Sequence, residues 1–373
     1  MASIGIYRSL FPLPSETFIS EQARALRRFS PRMLARRYLG GSSLPVITPA
    51  PGAWSRLRDL AFAATADPRW FPVGRALEGI QLIHAHFGPD GIYAMRLAQA
   101  RGIPFLVTFH GFDVTSTDWA LASSLRPSSA CYLMHRAELK RSGGAFIAVS
   151  KFIRSILLEQ GFPPERVRLH YIGVDTARFV PAGDPGSRTH LLCVGRHVEK
   201  KGIDVLLEAF ARVAPRFPGV DLLQVGSGPL TSTLKALAAR LGLGDRVRFL
   251  GSRPHEEVRR MMQEAYAFVL PSRRAGTGDS EALGIVFLEA SACGRPVIST
   301  VHGGIPEAVL HGETGLLAAE GDPESLAAHL ATLLGDRELA DAMGRRGRDY
   351  VCGGFDLFRQ TEKLEGIYQE LLA

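Results

Sequence analysis

Short apolar segments alternate with longer segments of helical periodicity along the whole chain. In the first half the apolar segments predict strands at Ile4–Ile6, Leu82–Ala85, Phe105–Phe109, Ala145–Val149 and Val167–Tyr171. In the second half they predict strands at His190–Val194, Val220–Val225, Val247–Leu250, Ala267–Leu270 and Pro296–Ser299. Helical patterns cover Asp204–Val213, Thr231–Leu241, His255–Glu264 and Ile285–Ala292. Repeated strand–helix–strand units predict an α/β fold with parallel sheets that are covered by helices on both faces.

The stretch Pro181–Arg188 interrupts this alternation, because it is rich in proline and glycine and has the composition of a linker. We therefore expect two Rossmann-like, doubly wound domains, residues 1–181 and residues 182–352. Residues 353–373 are expected to form a helix that packs back towards the first domain. Ligands of open parallel sheets bind beyond the carboxyl ends of the strands, so two such domains facing each other would place an active site in a central cleft.

Composition narrows the class of protein. Of the 373 residues, 46% are hydrophobic and 22% are charged, so the chain can bury a sizeable core and is not of the disordered class. The net charge of +7 is unevenly divided. Residues 1–181 hold 22 Lys and Arg against 12 Asp and Glu, and the remaining residues hold 22 against 25. The basic excess therefore lies in the first predicted domain.

Cysteine usage and hydropathy indicate a soluble protein of a reducing compartment. The four cysteines lie far apart without a C-x-x-C pair, so neither a disulfide framework nor a structural zinc site is expected. No run of about 18 apolar residues exists, and the N-terminus lacks a basic region followed by an apolar core. We predict a cytoplasmic protein.

Two glutamates, Glu281 and Glu289, are separated by seven residues and flank an apolar run. If Gly284 opens a helix, Glu281 lies in the preceding loop and Glu289 projects from the second turn. The free amides of Gly284, Ile285 and Val286 would then point outward at the positive end of the helix dipole, as an anion site needs. An exposed loop glutamate and a solvated helix glutamate are the alternative explanation.

Arg196 and Lys201 lie five residues apart, around a strand end and the turn at Gly202. Two cations in this place could neutralise a diphosphate that leaves with a second negative charge. A solvated basic turn is the alternative, because basic clusters usually lie on the surface.

The order of these motifs resembles the retaining glycosyltransferases of family four. Their signature, a Glu, seven residues and a second Glu, lies here in SEALGIVFLEASACGRPVIST, which is followed by HGGIPEAVLHGETGLL. The segments VGRHVEKKGIDVLLEAF, GSGPL and VRFLGSRPHEEV occur in the family's order and spacing, and the match covers essentially the whole chain. The resemblance implies the GT-B fold, with an acceptor-side first domain and a second domain that holds most of a nucleotide-sugar donor.

The resemblance also implies roles for residues of the second half. Glu289 would hold the ribose hydroxyls, and Glu281 would contact the donor sugar near its reacting carbon. Arg196 and Lys201 would grip the donor diphosphate.

Two further residues of the second half follow predicted strands and rest on resemblance more than on spacing. Gly226 would lie against the nucleotide, and the family seats the base near Arg253. The sequence contains no Asp-x-Asp pair, with which metal-dependent sugar transferases hold Mg²⁺ or Mn²⁺ on the diphosphate. Because fixed cations and a helix terminus can replace a metal ion, we predict that no catalytic metal and no cofactor is needed.

In the first half, His110 follows a predicted strand and is released from it by Gly111, so its ring can reach a ligand. The family counterpart of His110 hydrogen-bonds the donor sugar and helps to organise the transition state. Ser150 and Lys151 open a helix after another strand. They match a pair near the donor in the family, where Lys151 would add positive charge close to the phosphates.

The stretch of residues 11–19, FPLPSETFI, departs from the family's usual pattern, in which many members carry a glycine pair after the first strand. Prolines and Ser15-Glu16-Thr17 stand there instead, with Ser15 suited to cap a helix. The letters SETFI resemble the subgroup that builds bacterial exopolysaccharides of the colanic acid and amylovoran type. We expect Ser15, Glu16 and His86 on the acceptor side.

The pair His84-x-His86 at a strand end points two imidazoles the same way. With His110 and Asp113 it makes a metal-dependent hydrolase an alternative function. Family members carry a similar segment on the acceptor side without a metal.

Six arginines crowd into fourteen residues: Arg24, Arg27, Arg28, Arg32, Arg36 and Arg37. A solvated helical face is the ordinary interpretation of such a run. The sharper hypothesis is attraction to anionic lipid headgroups, about 1 kcal/mol per basic residue near the surface, which a lipid-linked acceptor would require. The segment lacks interleaved stacking aromatic residues, so a nucleic-acid partner is not expected.

These patterns predict a retaining, metal-independent hexosyltransferase that uses a UDP- or GDP-sugar in exopolysaccharide or other glycoconjugate assembly. Its acceptor would be lipid-linked or a small molecule. We expect it in the cytoplasm or peripheral on the inner face of the cell membrane. An epimerase of the same fold, an inactive nucleotide-sugar-binding protein and the metal-dependent hydrolase stay open as alternatives.

Overall fold

The computed structural model describes residues 1–48, 53–71, 73–182 and 190–373. They form two compact units, Met1–Gly173 with Leu357–Ala373, and Val174–Asp356. The units divide eight residues before the predicted break, because the segment after Gly173 binds the second unit: the N–H of Val174 donates to the carbonyl of Phe355 at 2.8 Å. The predicted linker falls mostly on residues 183–189, which lie outside the described residues.

The first unit is built on one parallel sheet with the strand order β3-β2-β1-β4-β5-β6-β7. Its strands are β1 (Ala2–Phe11), β2 (Phe29–Tyr38), β3 (Val46–Ile47), β4 (Ile80–His86), β5 (Phe105–Phe109), β6 (Ala145–Ala148) and β7 (Val167–Leu169). Its helices up to residue 159 are α1 (Thr17–Ala25), α2 (Ala53–Thr65), α3 (Val73–Ala76), α4 (Gly88–Arg101), α5 (Phe112–Thr115), α6 (Asp118–Ser123), α7 (Pro127–Arg141) and α8 (Lys151–Glu159). Strands β5 and β6 are buried along their whole length, as expected of a sheet with helices on both faces.

The second unit repeats this architecture with the strand order β10-β9-β8-β11-β12-β13, again all parallel. Its strands are β8 (His190–Val194), β9 (Asp221–Val225), β10 (Val247–Gly251), β11 (Ala267–Val269), β12 (Val297–Thr300) and β13 (Gly315–Ala318). Its helices are α9 (Ile203–Val213), α10 (Thr231–Arg240), α11 (His255–Glu264), α12 (Ile285–Ala292), α13 (Ile305–Ala308), α14 (Pro323–Gly335) and α15 (Arg337–Gly354).

The last helix, α16 (Leu357–Leu372), belongs to the first unit. The carboxylate of Glu365 accepts the backbone N–H groups of Arg27 and Arg28 at 2.7 and 2.6 Å. Tyr368 is fully buried and packs edge-on against Phe29, with the ring centroids 5.4 Å apart. The chain therefore crosses to the second unit and returns to complete the core of the first.

The arginine run is not a helical face, which corrects the sequence-based interpretation. Arg24 lies on α1, but Arg32, Arg36 and Arg37 lie on β2, a strand between β1 and β3. The strand is stabilised by the buried side chains of Met33–Ala35, an apolar core too short to stand out between arginines. Strands β3 and β13 were likewise not predicted.

None of the helices in the described ranges is both long and apolar enough to cross a membrane.

Candidate active site

Helix α12 begins at Gly284, as the sequence predicts. Gly284 has a φ of +82°, and a Cβ at this position would lie 2.3 Å from the ring of Phe287, so only glycine fits. Within the described residues, the N–H groups of Gly284, Ile285 and Val286 have no hydrogen-bond acceptor. Three unpaired amides therefore lie at the positive end of the helix, where an anion can bind.

Lys201 and Glu281 lie side by side, although 80 residues separate them in the sequence. The Nζ atom of Lys201 is 2.5 Å from Oε2 of Glu281, and both side chains are largely buried. The approach depends on Gly202, which caps α9 in a left-handed conformation (φ +58°), where a Cβ would lie 2.0 Å from the carbonyl oxygen of Pro271. The glycine therefore brings the lysine turn against the loop that carries Glu281.

Glu281 is held in its ionised form. Burial by itself would raise its pKa, but the charges of Lys201 and Lys200 outweigh burial and lower the pKa of Glu281 to about 2. At neutral pH this carboxylate accepts hydrogen bonds and has no proton to donate.

Lys200 and Asp279 form a second ion pair beside the first, at 3.0 Å, and neither residue was singled out from the sequence. Arg196, by contrast, is exposed and has no acidic partner within the described residues. Its guanidinium is available for a ligand with negative charge. The structure thus places Arg196 and Lys201 at the carboxyl end of β8 and brings only Lys201 against Glu281.

Glu289 projects from the second turn of α12 and is buried. Its Oε1 atom is 2.8 Å from Nε2 of His255, whose ring packs against Phe179 at 5.4 Å between centroids. His255 is a candidate site residue that sequence reasoning missed. Two weak signals pointed to it: it opens a predicted helix, and it lies in the quoted family segment VRFLGSRPHEEV.

Gly226 and Arg253 lie beyond the carboxyl ends of neighbouring strands. The N–H of Gly226 donates to the carbonyl of Gly251 at 2.9 Å, so the turns after β9 and β10 touch. Arg253 is exposed and lies 3.7 Å from a carboxylate oxygen of Glu257. Both residues lie at the edge of the second sheet that the sequence predicts for a nucleotide.

Three histidines of the first unit form a stack at the carboxyl ends of β4 and β5. The ring centroids of His84 and His86 are 4.5 Å apart, and those of His86 and His110 are 5.1 Å apart. Nδ1 of His86 lies 2.9 Å from Nε2 of His110. Burial, with the nearby charge of Arg8, holds the pKa of His110 well below its usual range, so its ring stays neutral.

The residues of the alternative metal-dependent hydrolase, His84, His86, His110 and Asp113, do not form a metal site in the described structure. Both ring nitrogens of His84 are hydrogen-bonded, to the hydroxyl groups of Tyr368 and Thr108, each at 2.7 Å. The carboxylate of Asp113 accepts the backbone N–H groups of Gly88 and Gly111 at 2.8 and 2.9 Å. In the described ranges, no group of three or more His, Cys, Asp or Glu side chains has the geometry to hold a metal ion.

Glu16 is held by a charge cluster that the sequence did not predict. Both of its carboxylate oxygens accept from the guanidinium of Arg8 at 2.7 Å, and Arg8 also binds Asp90 at 2.5 Å. Asp90 accepts the N–H of Ser9 at 2.9 Å. The cluster links the loop after β1 to Asp90 and engages both carboxylate oxygens of Glu16.

Ser15 does not cap α1, which corrects the prediction. It lies exposed inside a short 3₁₀ helix, Pro14–Glu16, and Glu16 precedes α1 without a side-chain cap. The 3₁₀ turn places Glu16, and not Ser15, directly before the first residue of α1. Ser150 does cap α8, since its hydroxyl accepts the N–H of Ile153 at 3.1 Å, and Lys151 follows as the exposed first residue of that helix.

Two Rossmann-like units, each built on one parallel sheet, are the architecture of the GT-B glycosyltransferases. The crystal structure of Anabaena HepE in complex with UDP and glucose superposes with a TM-score of 0.79 at 20% identity, and the match covers 99% of this chain and 100% of that one.

The chain belongs to glycosyltransferase family 4. Residues 15–178 match the family model described as Glycosyltransferase Family 4, and residues 177–350 match the model described as Glycosyl transferases group 1. WcaL of Salmonella typhimurium, named for colanic acid biosynthesis, is 32% identical over 77% of this chain and 70% of its own length. A GDP-mannose-dependent α-(1-6)-phosphatidylinositol monomannoside mannosyltransferase of Mycolicibacterium smegmatis is 33% identical over 82% and 77%, respectively. The resemblance to family four and to its exopolysaccharide subgroup is confirmed.

Proposed function

We propose that the chain is a retaining glycosyltransferase that moves a hexose from a UDP- or GDP-sugar to an acceptor hydroxyl without a catalytic metal. The observation that carries the proposal is the group formed by Lys201, Glu281 and the free amides of Gly284–Val286. A cation and outward amides suit a diphosphate, and an ionised carboxylate suits the hydroxyl groups of a sugar.

Lys201 can serve Glu281 and a diphosphate at the same time. Its ammonium has three N–H donors, of which the pair with Glu281 uses one. A second donor directed at a phosphate oxygen would place the sugar of the same ligand next to Glu281. Arg196, which has no acidic partner among the described residues, would add a second cation.

The proposed reaction breaks the bond between the anomeric carbon and the diphosphate oxygen. The acceptor hydroxyl forms its bond on the face that the diphosphate leaves, and the departing phosphate oxygen takes the hydroxyl proton. Lys201, Arg196 and the amides at Gly284–Val286 would stabilise the charge that develops on the diphosphate. The ionised carboxylate of Glu281 would accept hydrogen bonds from the sugar. It would also stabilise the positive charge that develops at the reacting carbon.

Five more residues are proposed for donor binding, as the family resemblance implies. His110, whose ring stays neutral, would exchange hydrogen bonds with the sugar. Glu289 would accept hydrogen bonds from the ribose hydroxyls, while its Oε1 atom stays 2.8 Å from Nε2 of His255. Lys151, Gly226 and Arg253 would lie near the phosphates, the nucleotide and the base.

The relatives support a place in exopolysaccharide or glycolipid assembly. The acceptor that we propose is lipid-linked, with a small molecule as the alternative. The colanic acid and mannosyltransferase relatives build such polymers and lipids, according to their names. The donor base is open, because the mannosyltransferase is named for GDP-mannose and HepE was crystallised with UDP. We propose a cytoplasmic protein that contacts the anionic inner face of the membrane through exposed arginines of the first unit.

Replacing Lys201 by Ala tests the assignment. We expect Lys201→Ala to lose the thermal stabilisation by UDP or GDP and to lower donor turnover about a hundredfold or more, since it removes a buried cation from the diphosphate. Lys235→Ala, which removes an exposed lysine from α10, is the matched control and should behave like the parent. A folded Lys201→Ala protein with normal donor binding and turnover would contradict the proposal.

The donor and the stereochemistry need separate measurements. A thermal-shift screen with UDP, GDP, ADP and dTDP identifies the base, because a ligand at 100 times its dissociation constant adds about 2.7 kcal/mol to stability. The anomeric proton couplings of the product distinguish retention from inversion. Turnover that EDTA abolishes and Mg²⁺ restores would contradict metal independence.

A further inference from the structure

The backbone of Glu281 is bound by His302, which is in turn bound by Glu320. The sequence analysis predicted neither His302 nor Glu320 as a site residue. The backbone N–H of Glu281 donates to Nε2 of His302 at 3.2 Å. Nδ1 of His302 lies 2.7 Å from Oε2 of Glu320. The other carboxylate oxygen of Glu320 accepts the backbone N–H of Arg274 at 2.6 Å. Glu320 is thus linked to the loop before α12 at two points, directly at Arg274 and through His302 at Glu281.

The direction of these hydrogen bonds is fixed by chemistry. The backbone N–H of Glu281 can only donate, so Nε2 of His302 carries no proton and accepts. The ring proton therefore sits on Nδ1, from which it is donated to the ionised carboxylate of Glu320. The carboxylate selects the tautomer of His302, and that tautomer is the one that can hold Glu281.

The histidine itself is rigidly placed. Its side chain is only 5% exposed. Its backbone N–H donates to the carbonyl of Thr300 at 2.9 Å, and its carbonyl accepts from Ile305 at 3.0 Å, so the turn after β12 fixes the residue. In the same turn, the N–H of Gly304 donates to the carbonyl of Glu281 at 3.0 Å. Both backbone polar groups of Glu281 are therefore bound by one turn.

We propose that Glu320 and His302 are positioning residues for the donor sugar: they fix the backbone of Glu281 so that its carboxylate stays between Lys201 and the sugar. This proposal rests on the proposed function, since it takes Glu281 as the contact to the sugar. Small displacements of a positioned group cost much of its effect, so the support behind Glu281 affects recognition of the sugar although it touches no ligand.

Binding of two ligands to Glu320→Gln tests the proposal. Glutamine keeps the shape but offers one acceptor oxygen, so its amide N–H₂ must face either His302 or Arg274. We expect the dissociation constant of UDP-glucose or GDP-mannose, whichever the parent binds, to rise about tenfold, or about 1.4 kcal/mol. The dissociation constant of the matching free UDP or GDP should stay within about twofold, because Lys201 and the amides at Gly284 remain.

Glu138→Gln is the matched control. Glu138 also lies beside a histidine nitrogen, at 3.3 Å from Nδ1 of His135, and has the same 37% side-chain exposure as Glu320, but it belongs to the first unit. It should leave both dissociation constants unchanged. Ring-¹⁵N NMR adds a spectroscopic check: the His302 signals, assigned by their loss in His302→Gln, should show the Nδ1–H tautomer in the parent and change in Glu320→Gln.

The outcomes separate this inference from the proposed function. A Glu320→Gln protein that binds both ligands like the parent, or loses both equally, overturns the positioning role. Glu320→Asp keeps an ionised acceptor and should recover part of the lost sugar affinity, and it decides the matter if the Gln variant folds poorly. If Glu281→Gln itself binds the nucleotide sugar normally, the assignment of Glu281 fails as well.

Discussion

Glu281 illustrates how neighbours decide the chemistry of a side chain. An exposed loop glutamate was the ordinary alternative, and the sequence could not exclude it. The fold brings Lys201 to 2.5 Å and lowers the pKa of Glu281 to about 2, although burial alone would raise it. The sequence identified Lys201 and Glu281 separately, by spacing and resemblance. His302 opens the quoted segment HGGIPEAVLHGETGLL, but neither that segment nor the sequence around Glu320 predicts their contact.

The depressed pKa of Glu281 predicts a specific dependence of stability on pH. The folded-state pKa lies below the usual 4.5, so the ionised form stabilises the fold above about pH 4.5, and this contribution is lost as the pH falls towards about 2. Between about pH 5 and about pH 3 the free energy of unfolding should therefore fall by about 2 kcal/mol more in the parent than in Glu281→Gln. Urea unfolding at a series of pH values measures the difference, and parallel curves would contradict the ion pair.

At the scale of elements, helix α12 was predicted with the bounds that the structure has, Ile285–Ala292, because its apolar run and its opening glycine agree. Strand β2 was missed for the opposite reason. Arginines flank its short buried segment, Met33–Ala35, so the hydrophobic pattern is weak. The pairing with β1 and β3 that stabilises the strand is non-local. The strand is therefore decided by its neighbours in the sheet, a contribution that local patterns do not carry.

Gly284 is the element-scale test. Alanine in the left-handed conformation costs about 1 kcal/mol, and the clash with Phe287 would also shift the first turn of α12. We expect Gly284→Ala to lower the unfolding temperature and to weaken binding of UDP or GDP about tenfold or more, because the free amides move. Gly312→Ala, at φ +79° with open space around its Cβ, controls for the backbone cost alone and should retain nucleotide binding. Equal nucleotide affinity in both variants would contradict an anion site at α12.

At the scale of the whole molecule, the arginine run divides into side chains that have an acidic partner and side chains that have none. Arg28 pairs with Glu362 at 3.0 Å and Arg36 pairs with Asp59 at 3.4 Å. Both ion pairs join residues within the first unit. The exposed arginines of the run whose side chains have no acidic partner in the described ranges are Arg24, Arg27 and Arg37. We propose these three side chains for contact with an anionic surface.

The membrane contact is tested by replacing these three arginines together. We expect the triple variant Arg24→Gln, Arg27→Gln and Arg37→Gln to bind vesicles of phosphatidylglycerol and phosphatidylcholine about a hundredfold more weakly at low salt, from about 1 kcal/mol per residue. The matched control replaces Arg212, Arg216 and Arg240, three exposed arginines of the second unit, by Gln and should bind like the parent. A parent protein that ignores these vesicles in co-sedimentation would leave the basic excess as a solvated face.

The sequence by itself determined the fold class and the family, and it predicted which motifs carry the chemistry. Strand–helix periodicity is local, and the segment around Glu281 and Glu289 has a fixed spacing, so both can be recognised from the sequence alone. Only the tertiary structure decided which groups meet: Lys201 with Glu281, Glu16 with Arg8, and Glu320 with His302. These contacts join residues that are 8 to 80 positions apart in the chain, and no local pattern relates the two partners. Their pKa values and hydrogen-bond directions depend on burial and on neighbours that parallel sheets bring together at one edge.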